Sequence, residues 1–235
     1  MTSQRKVVLV TGASRGIGLE VAKEMIAQGY FVVGCSRSQS EYRDSSYIHM
    51  EADLACSDKA RGLIKAVKKK FGRLDVLVNN AAINPSIRQV SLVPLSTLEE
   101  VFRVNFFTPF QLCAEALKLM QRQKNGRIIN LGSMAVKHEV EGESVYTSSK
   151  AALQTFTRIL AKESYRMGVT CNMVAPAAVA TDLSSQIDSD ALQAVLQRNA
   201  CKEMGRMEEI VNLIVFLSSE EASGVTSQVI YLGGV

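Results

Sequence analysis

Tyr146 and Lys150 stand four residues apart in the segment Tyr146-Thr147-Ser148-Ser149-Lys150. On a helix this spacing puts both side chains on one face. No other tyrosine in the chain has a lysine four residues on. A phenol of ordinary pKa, about 10, is a poor acid–base group at neutral pH. A neighbouring ammonium favours the phenolate, so Lys150 is expected to lower the pKa of Tyr146. Ser133 lies upstream, directly after the run Arg127-Ile128-Ile129-Asn130-Leu131-Gly132. If that run is a strand, Ser133 sits at its carboxyl end, where open α/β sheets hold their ligands. A hydroxyl, a phenol and an ammonium brought together suit proton transfer to an oxygen on which charge develops.

A second constellation has the chemistry of phosphate binding. The apolar run Lys6–Val10 leads straight into Thr11-Gly12-Ala13-Ser14-Arg15-Gly16-Ile17-Gly18, followed by a helical pattern. Glycines in a strand-to-helix turn permit a tight bend and close approach of a ligand to backbone. The helix N-terminus then offers unpaired N–H groups and a positive dipole end to a pyrophosphate. The spacing is G-x-x-x-G-x-G, which differs from the G-x-G-x-x-G dinucleotide fingerprint. The turn could also serve packing alone. The next strand ends Gly34-Cys35-Ser36-Arg37-Ser38, with no acid until Glu41. An NAD site needs a carboxylate near there for the ribose 2′-hydroxyl. Arg37, with Arg15 on the other side, could instead pair with a 2′-phosphate. A carboxylate would repel that phosphate, so NADP(H) is expected rather than NAD(H). Either arginine could equally be a solvated surface residue.

The elements that must position these groups are legible as alternation. Residues 6–10, 31–34, 47–50, 74–78, 127–131, 169–175 and 228–232 are short apolar runs, as in a parallel sheet covered on both faces. Helical periodicity occupies 18–29, 58–72, about 97–123, 145–167 and 206–219, with Gly29 and Gly72 where helix C-caps belong. Such alternation predicts a single doubly wound α/β domain over 1–235 with a seven-stranded parallel sheet. No repeat, low-complexity tract or linker divides the chain.

Composition narrows the classes. The 235 residues are 47% apolar and 21% charged, which excludes disordered and fibrous chains. A net charge of +4 is too weak and dispersed to argue for nucleic acid, and Lys68-Lys69-Lys70 reads as a solvated helix end. Five cysteines without a C-x-x-C pair, and His49 and His138 far apart, suggest neither a disulfide framework nor a metal site. No stretch has the pattern of a signal peptide or membrane span, so a reducing, cytoplasmic location is expected.

Taken together, the motifs strongly resemble the short-chain dehydrogenase/reductase family, in its compact Rossmann-type form, across essentially the whole chain. Thr11–Gly18 matches the family's T-G-x-x-x-G-x-G, and Asn79-Asn80-Ala81-Ala82 its N-N-A-G. Asn172, Pro176 and Thr181 follow its N-x-V-x-P-G-x-x-x-T pattern near the nicotinamide. The resemblance implies Asn105, Ser133, Tyr146 and Lys150 as the catalytic set. It implies that Gly12, Ser14, Arg15, Gly16, Ile17 and Gly18 hold the pyrophosphate side of NADP(H), with Arg37 at the adenosine end. Asp53 and Leu54 would border the adenine, and Asn80, Ala81, Pro176, Val179 and Thr181 would continue the site beside Tyr146 and Lys150. The implied reaction moves hydride between nicotinamide and a carbonyl carbon while Tyr146 protonates the oxygen and Ser133 hydrogen-bonds it. Lys150 would hold the nicotinamide ribose, and Asn105 would position a water in its proton relay.

The overall pattern most resembles 3-oxoacyl-[acyl-carrier-protein] reductases, which implies an acyl-thioester substrate and an acidic carrier protein as partner. Lys118, Arg122, Lys124, Arg127 and Arg166 could form the complementary patch, or be scattered surface charge. Alternatives are an alcohol, polyol or sugar dehydrogenase, or a catalytically silent NADP(H)-sensing protein. The resemblance also implies a homodimer or homotetramer. Ala82, Ala177 and Leu232 depart from the family pattern, and an added methyl would narrow the cofactor site or shift a backbone needing positive φ. The resemblance also implies a short lid over about 182–205, in which Leu183, Ile187, Leu192, Val195 and Met204 pack the lid or line a fatty-chain groove. Lys137, His138, Glu139, Glu141 and Glu143 should border the pocket mouth. Tyr146→Phe is expected to abolish turnover while leaving NADPH binding, followed by nicotinamide fluorescence, nearly intact. Retained turnover would remove Tyr146 from the chemistry.

Overall fold

The apolar runs form seven strands: β1 (Val7–Thr11), β2 (Phe31–Ser36), β3 (Tyr47–Glu51), β4 (Val76–Asn79), β5 (Gly126–Leu131), β6 (Val169–Pro176) and β7 (Val229–Leu232). They pair in the order β3-β2-β1-β4-β5-β6-β7, every pair parallel. This is the doubly wound, seven-stranded Rossmann-type sheet expected from the alternation. The structure, a computed structural model, describes residues 5–85, 87–179, 193 and 195–234.

Both faces of the sheet are covered, which is why its central strands read as continuous apolar runs. Successive side chains of β1 go to opposite faces. Val8 and Val10 meet Val21 and Met25 of α1 (Gly16–Ala27) and Ile210 and Ile214 of α7 (Met207–Ser218). Val7 and Leu9 belong to another core, with Leu63 of α2 (Ser57–Phe71), Leu112 and Met120 of α4 (Thr108–Gln123), and Leu160 of α6 (Ser144–Ser164), which follows the short α5 (Ala135–His138). Gly72 ends α2 at φ 70°, donating its N–H to the Lys68 carbonyl. Lys68, Lys69 and Lys70 lie exposed in that last turn, facing the negative end of the helix dipole.

The single helix expected over 97–123 is instead α3 (Leu95–Phe102), a π-helical turn over Arg103–Phe107, and α4. Pro109 has no N–H to give the carbonyl of residue 105, so a regular α-ladder cannot run through this point. Asn105 sits in the π turn, 1% exposed. Such turns recur at functional sites.

Strand order reverses between β1 and β4, and the carboxyl ends of the strands there open into a cleft. A buried polar ladder fixes α6 against this edge. Asn79 Nδ2 donates to Asn130 Oδ1 at 2.8 Å, and Asn130 Nδ2 donates to Thr157 Oγ1 at 2.8 Å. Thr157 in turn donates to the Leu153 carbonyl within α6. Asn130 and Thr157 are fully buried, so each lost partner leaves a desolvated polar group. Asn130→Ala should therefore lower the unfolding free energy by about 2 kcal/mol, measured by denaturant titration. A change below about 0.5 kcal/mol would show that the ladder does not hold α6 in place.

Candidate active site

The glycine turn is built for close approach. Gly12 and Gly16 have φ of 68° and 55°, in the left-handed region that favours glycine. A Cβ on Gly12 would lie 2.8 Å from Asn80 Nδ2, and one on Gly18 would lie 2.3 Å from the Gly12 carbonyl oxygen. Thr11 joins this turn to the end of β4, its hydroxyl accepting from the N–H groups of Asn80 and Ala81, both at 3.0 Å. Asn80 Nδ2 returns hydrogen bonds to the carbonyls of Thr11 and Gly12. No side chain caps the N-terminus of α1, whose first residues open on the cleft.

One cleft of about 730 Å³ receives most of the expected residues. Gly12, Ser14, Arg15, Gly16 and Ile17 line it with Arg37, Asp53 and Leu54. Asn80, Ala81, Pro176 and Val179 line it as well, with Ser133, Tyr146 and Lys150. Gly18 is buried inside the turn, and Thr181 lies outside the described residues. An elongated cleft with a glycine cradle, an uncapped helix N-terminus, guanidiniums and a buried ammonium fits a nicotinamide dinucleotide.

Tyr146 and Lys150 share one face of α6, as the spacing predicted, with the Lys150 Nζ 5.8 Å from the centre of the phenol ring. Lys150 is 3% exposed and donates to the Leu131 carbonyl at 2.8 Å. Burial lowers its pKa to about 8. The depression expected from Lys150 together with an oxidised nicotinamide is not present in the free protein. Burial pushes it up to about 12, the facing Ser133 side chain pulls it down, and the Glu143 charge adds to the rise. Desolvation of the phenolate is the largest of these influences. Tyr146 in the free protein is therefore a protonated phenol at neutral pH, a donor rather than a base.

The Asn105 side chain is committed to structure: Oδ1 accepts from Ile83 N–H, and Nδ2 donates to the Ile83 carbonyl and to Ser149 Oγ. It ties the loop after β4 to the helix turn preceding Lys150. Asn172 departs from the expected place near the nicotinamide. It is buried in mid-β6 and bonds the Val225 carbonyl and Gln228 N–H, which sets the approach to β7. Ala82 and Ala177 border the cleft in ordinary backbone, since positive φ at described non-glycine residues is confined to Lys124, Glu139, Lys202 and Ser227. Their methyls narrow the cleft without straining it.

Of the loop after Ser133, His138 and Glu143 line the cleft, whereas Lys137, Glu139 and Glu141 are exposed. Burial raises the Glu143 pKa, opposed by the Thr147 hydroxyl. Val195 lines the cleft and Met204 is half-buried, while Leu183, Ile187 and Leu192 lie outside the described residues. The proposed basic patch does not border the site. Lys118 and Arg122 lie near the end of α4, and Lys124, Arg127 and Arg166 near the starts of β5 and β6, at the opposite edge of the sheet. Arg127 is also 4% exposed and engaged with the Ser219 carbonyl and Glu220. Two parts of the machinery were not singled out in the sequence: the Leu131 carbonyl, which no side-chain pattern signals, and Thr11, whose place heading the glycine motif was the available sign.

A family model described as short chain dehydrogenase matches residues 6–192. The chain belongs to the short-chain dehydrogenase family. As a member it is an oxidoreductase using a nicotinamide cofactor. Across 242 aligned residues it is 30% identical to the 3-oxoacyl-[acyl-carrier-protein] reductase of Escherichia coli (strain K12), covering 100% of this chain and 98% of that relative. The corresponding protein of Salmonella typhimurium is 31% identical with the same coverage. A crystal structure of levodione reductase superposes with a TM-score of 0.91 at 26% identity, covering 97% of this chain and 96% of the other. Among the described residues of this short-chain dehydrogenase, no helix is long and apolar enough to cross a membrane, and no cluster of side chains could hold a metal ion.

Proposed function

We propose that the protein is an NADPH-dependent carbonyl reductase with 3-oxoacyl thioesters as its leading substrate class. The observation carrying this reading is the two-ended cleft, with Arg15 and Arg37 at one end and a buried, protonated Tyr146 at the other. Nicotinamide, when bound, supplies the hydride. Tyr146 donates its phenolic proton to the substrate oxygen, and Ser133 hydrogen-bonds that oxygen as negative charge develops. Lys150 holds the nicotinamide ribose, and Asn105 steadies the turn that carries the lysine. Gly12–Gly18 and the α1 N-terminus hold the pyrophosphate, with Asp53 and Leu54 beside the adenine. Pro176 and Val179 would line the nicotinamide side.

The thioester class is supported by full-length similarity to proteins named 3-oxoacyl-[acyl-carrier-protein] reductases. A carrier protein, as partner, would meet the cleft through a surface other than the expected basic residues. A second reading, an alcohol, polyol or sugar dehydrogenase, is favoured by Glu143 and His138 in the cleft wall, which suit a hydroxyl-bearing substrate. Homo-oligomerisation through α4 and α6 is supported by exposed Phe107, Phe110 and Ile159, with Phe110 packed on Phe156 at 4.8 Å between ring centres. A reducing, cytoplasmic setting fits five free cysteines.

Steady-state rates with an acetoacetyl thioester, simple ketones and keto-sugars, each with NADPH and NADH, test this reading. NADPH should be preferred at least tenfold in kcat/KM, with the thioester the best substrate. A preference for NADH would overturn the cofactor assignment. A rate confined to sugars would replace the thioester reading with the second one.

A further inference from the structure

Arg37 reaches the cleft from the turn Ser36-Arg37-Ser38, which starts at the last residue of β2 and where backbone alone would leave a long cation loosely placed. That turn is closed from beneath by side chains of the neighbouring strand. Parallel pairing of β2 with β3 sets Gly34 opposite His49. The alternation of side chains then puts Gly34, Ser36, Tyr47 and His49 on one face. His49 Nε2 lies 3.0 Å from the Ser38 carbonyl and 2.9 Å from Ser36 Oγ, while Ser36 Oγ itself donates to the Ser38 carbonyl at 2.6 Å. Tyr47 Oη lies 2.8 Å from His49 Nδ1 and 3.4 Å from the carbonyl of Ala13, inside the glycine turn. Tyr47 and Ser36 are nearly buried, at 8% and 9% exposed.

Proton bookkeeping defines the tautomer. Ser36 has one hydroxyl proton and gives it to the Ser38 carbonyl, so Nε2 must carry a proton and donate. Nδ1 then accepts from the Tyr47 hydroxyl. The outcome is a continuous hydrogen-bonded chain from Tyr47 through His49 and Ser36 to Ser38. Tyr47 also has one hydroxyl proton, and giving it to Nδ1 leaves the Ala13 carbonyl a neighbour of the phenol oxygen rather than its hydrogen-bond partner. Gly34 makes room for the chain, since a Cβ there would lie 2.1 Å from Tyr47 Oη.

We propose that His49, held between Tyr47 and the Ser36–Ser38 turn, is a positioning residue for recognition of the cofactor's 2′-phosphate. It sets the placement of Arg37 without itself being required to touch the phosphate. This rests on the NADP(H) reading above. Its energetic basis is preorganisation: a turn already closed loses less freedom when its arginine engages an anion.

Isothermal titration calorimetry separates the two claims without any turnover. The probes are adenosine 2′,5′-bisphosphate, which carries the 2′-phosphate, and AMP, which differs only in lacking it. The unaltered protein should bind the bisphosphate at least tenfold tighter than AMP; equal affinity would overturn the NADP(H) reading and this inference with it. In His49→Ala that ratio should fall at least fivefold, chiefly by weaker binding of the bisphosphate, and His49→Gln, which keeps a donor towards Ser38, should recover part of it. If the unaltered protein discriminates and His49→Ala keeps its ratio within twofold, the inference fails while the cofactor reading stands. Should His49→Ala not fold, Ser36→Ala, which removes the other bond to the Ser38 carbonyl, must lower the same ratio, and an unchanged ratio there overturns the inference.

Discussion

A positive charge is buried at Lys150, and much of the molecule is arranged to keep it there. Its ammonium is held at 2.8 Å by the Leu131 carbonyl at the end of β5, and the surrounding core is apolar enough to lower its pKa to about 8. Burying an ion costs several kcal/mol unless polar partners replace water. That cost is tolerated only if α6 is pinned against the end of the sheet. The Asn79–Asn130–Thr157 ladder does this from the strand side, and Asn105 does it from the π turn through Ser149. The same scaffold that permits the buried charge fixes the distance between Lys150 and Tyr146.

That constraint explains a reversal at the candidate site. An ammonium beside a phenol suggests a lowered tyrosine pKa, yet the burial that holds Lys150 also desolvates Tyr146 and raises its pKa to about 12. The two groups shift in opposite directions for one reason, because each is pushed towards its neutral form. For a reductase this is favourable, since the phenol arrives at the carbonyl with its proton. An alcohol oxidation would need the phenolate, and so would need charge brought by the bound cofactor.

The architecture was legible because it depends on local signals. The seven apolar runs became the seven strands, and Gly72 ends α2 in the left-handed conformation its position implied. The shared face of Tyr146 and Lys150 was legible for the same reason, since an i, i+4 pair on one helix needs no knowledge of the fold. What escaped depends on partners far apart in sequence. The π turn follows from Pro109 but requires knowing which helix it interrupts. Arg127 looked like a surface cation until pairing of β5 inside the sheet brought it to Glu220. Asn172 matched a motif, but its strand register turns it towards the segment before β7. The Tyr47–His49–Ser36 chain appears only once β3 is set beside β2 in register.

Burial is the largest influence on the proton affinity of Tyr146 in the free protein. Its most direct measurement is a pH titration of the protein labelled with 13C at tyrosine Cζ, followed by NMR, with Tyr146→Phe identifying the resonance. Because burial disfavours the anion, the phenol signal should persist through neutral pH and begin to shift only above pH 10, consistent with a pKa of about 12. A midpoint below about pH 8 would contradict the account and return control of the proton to Lys150.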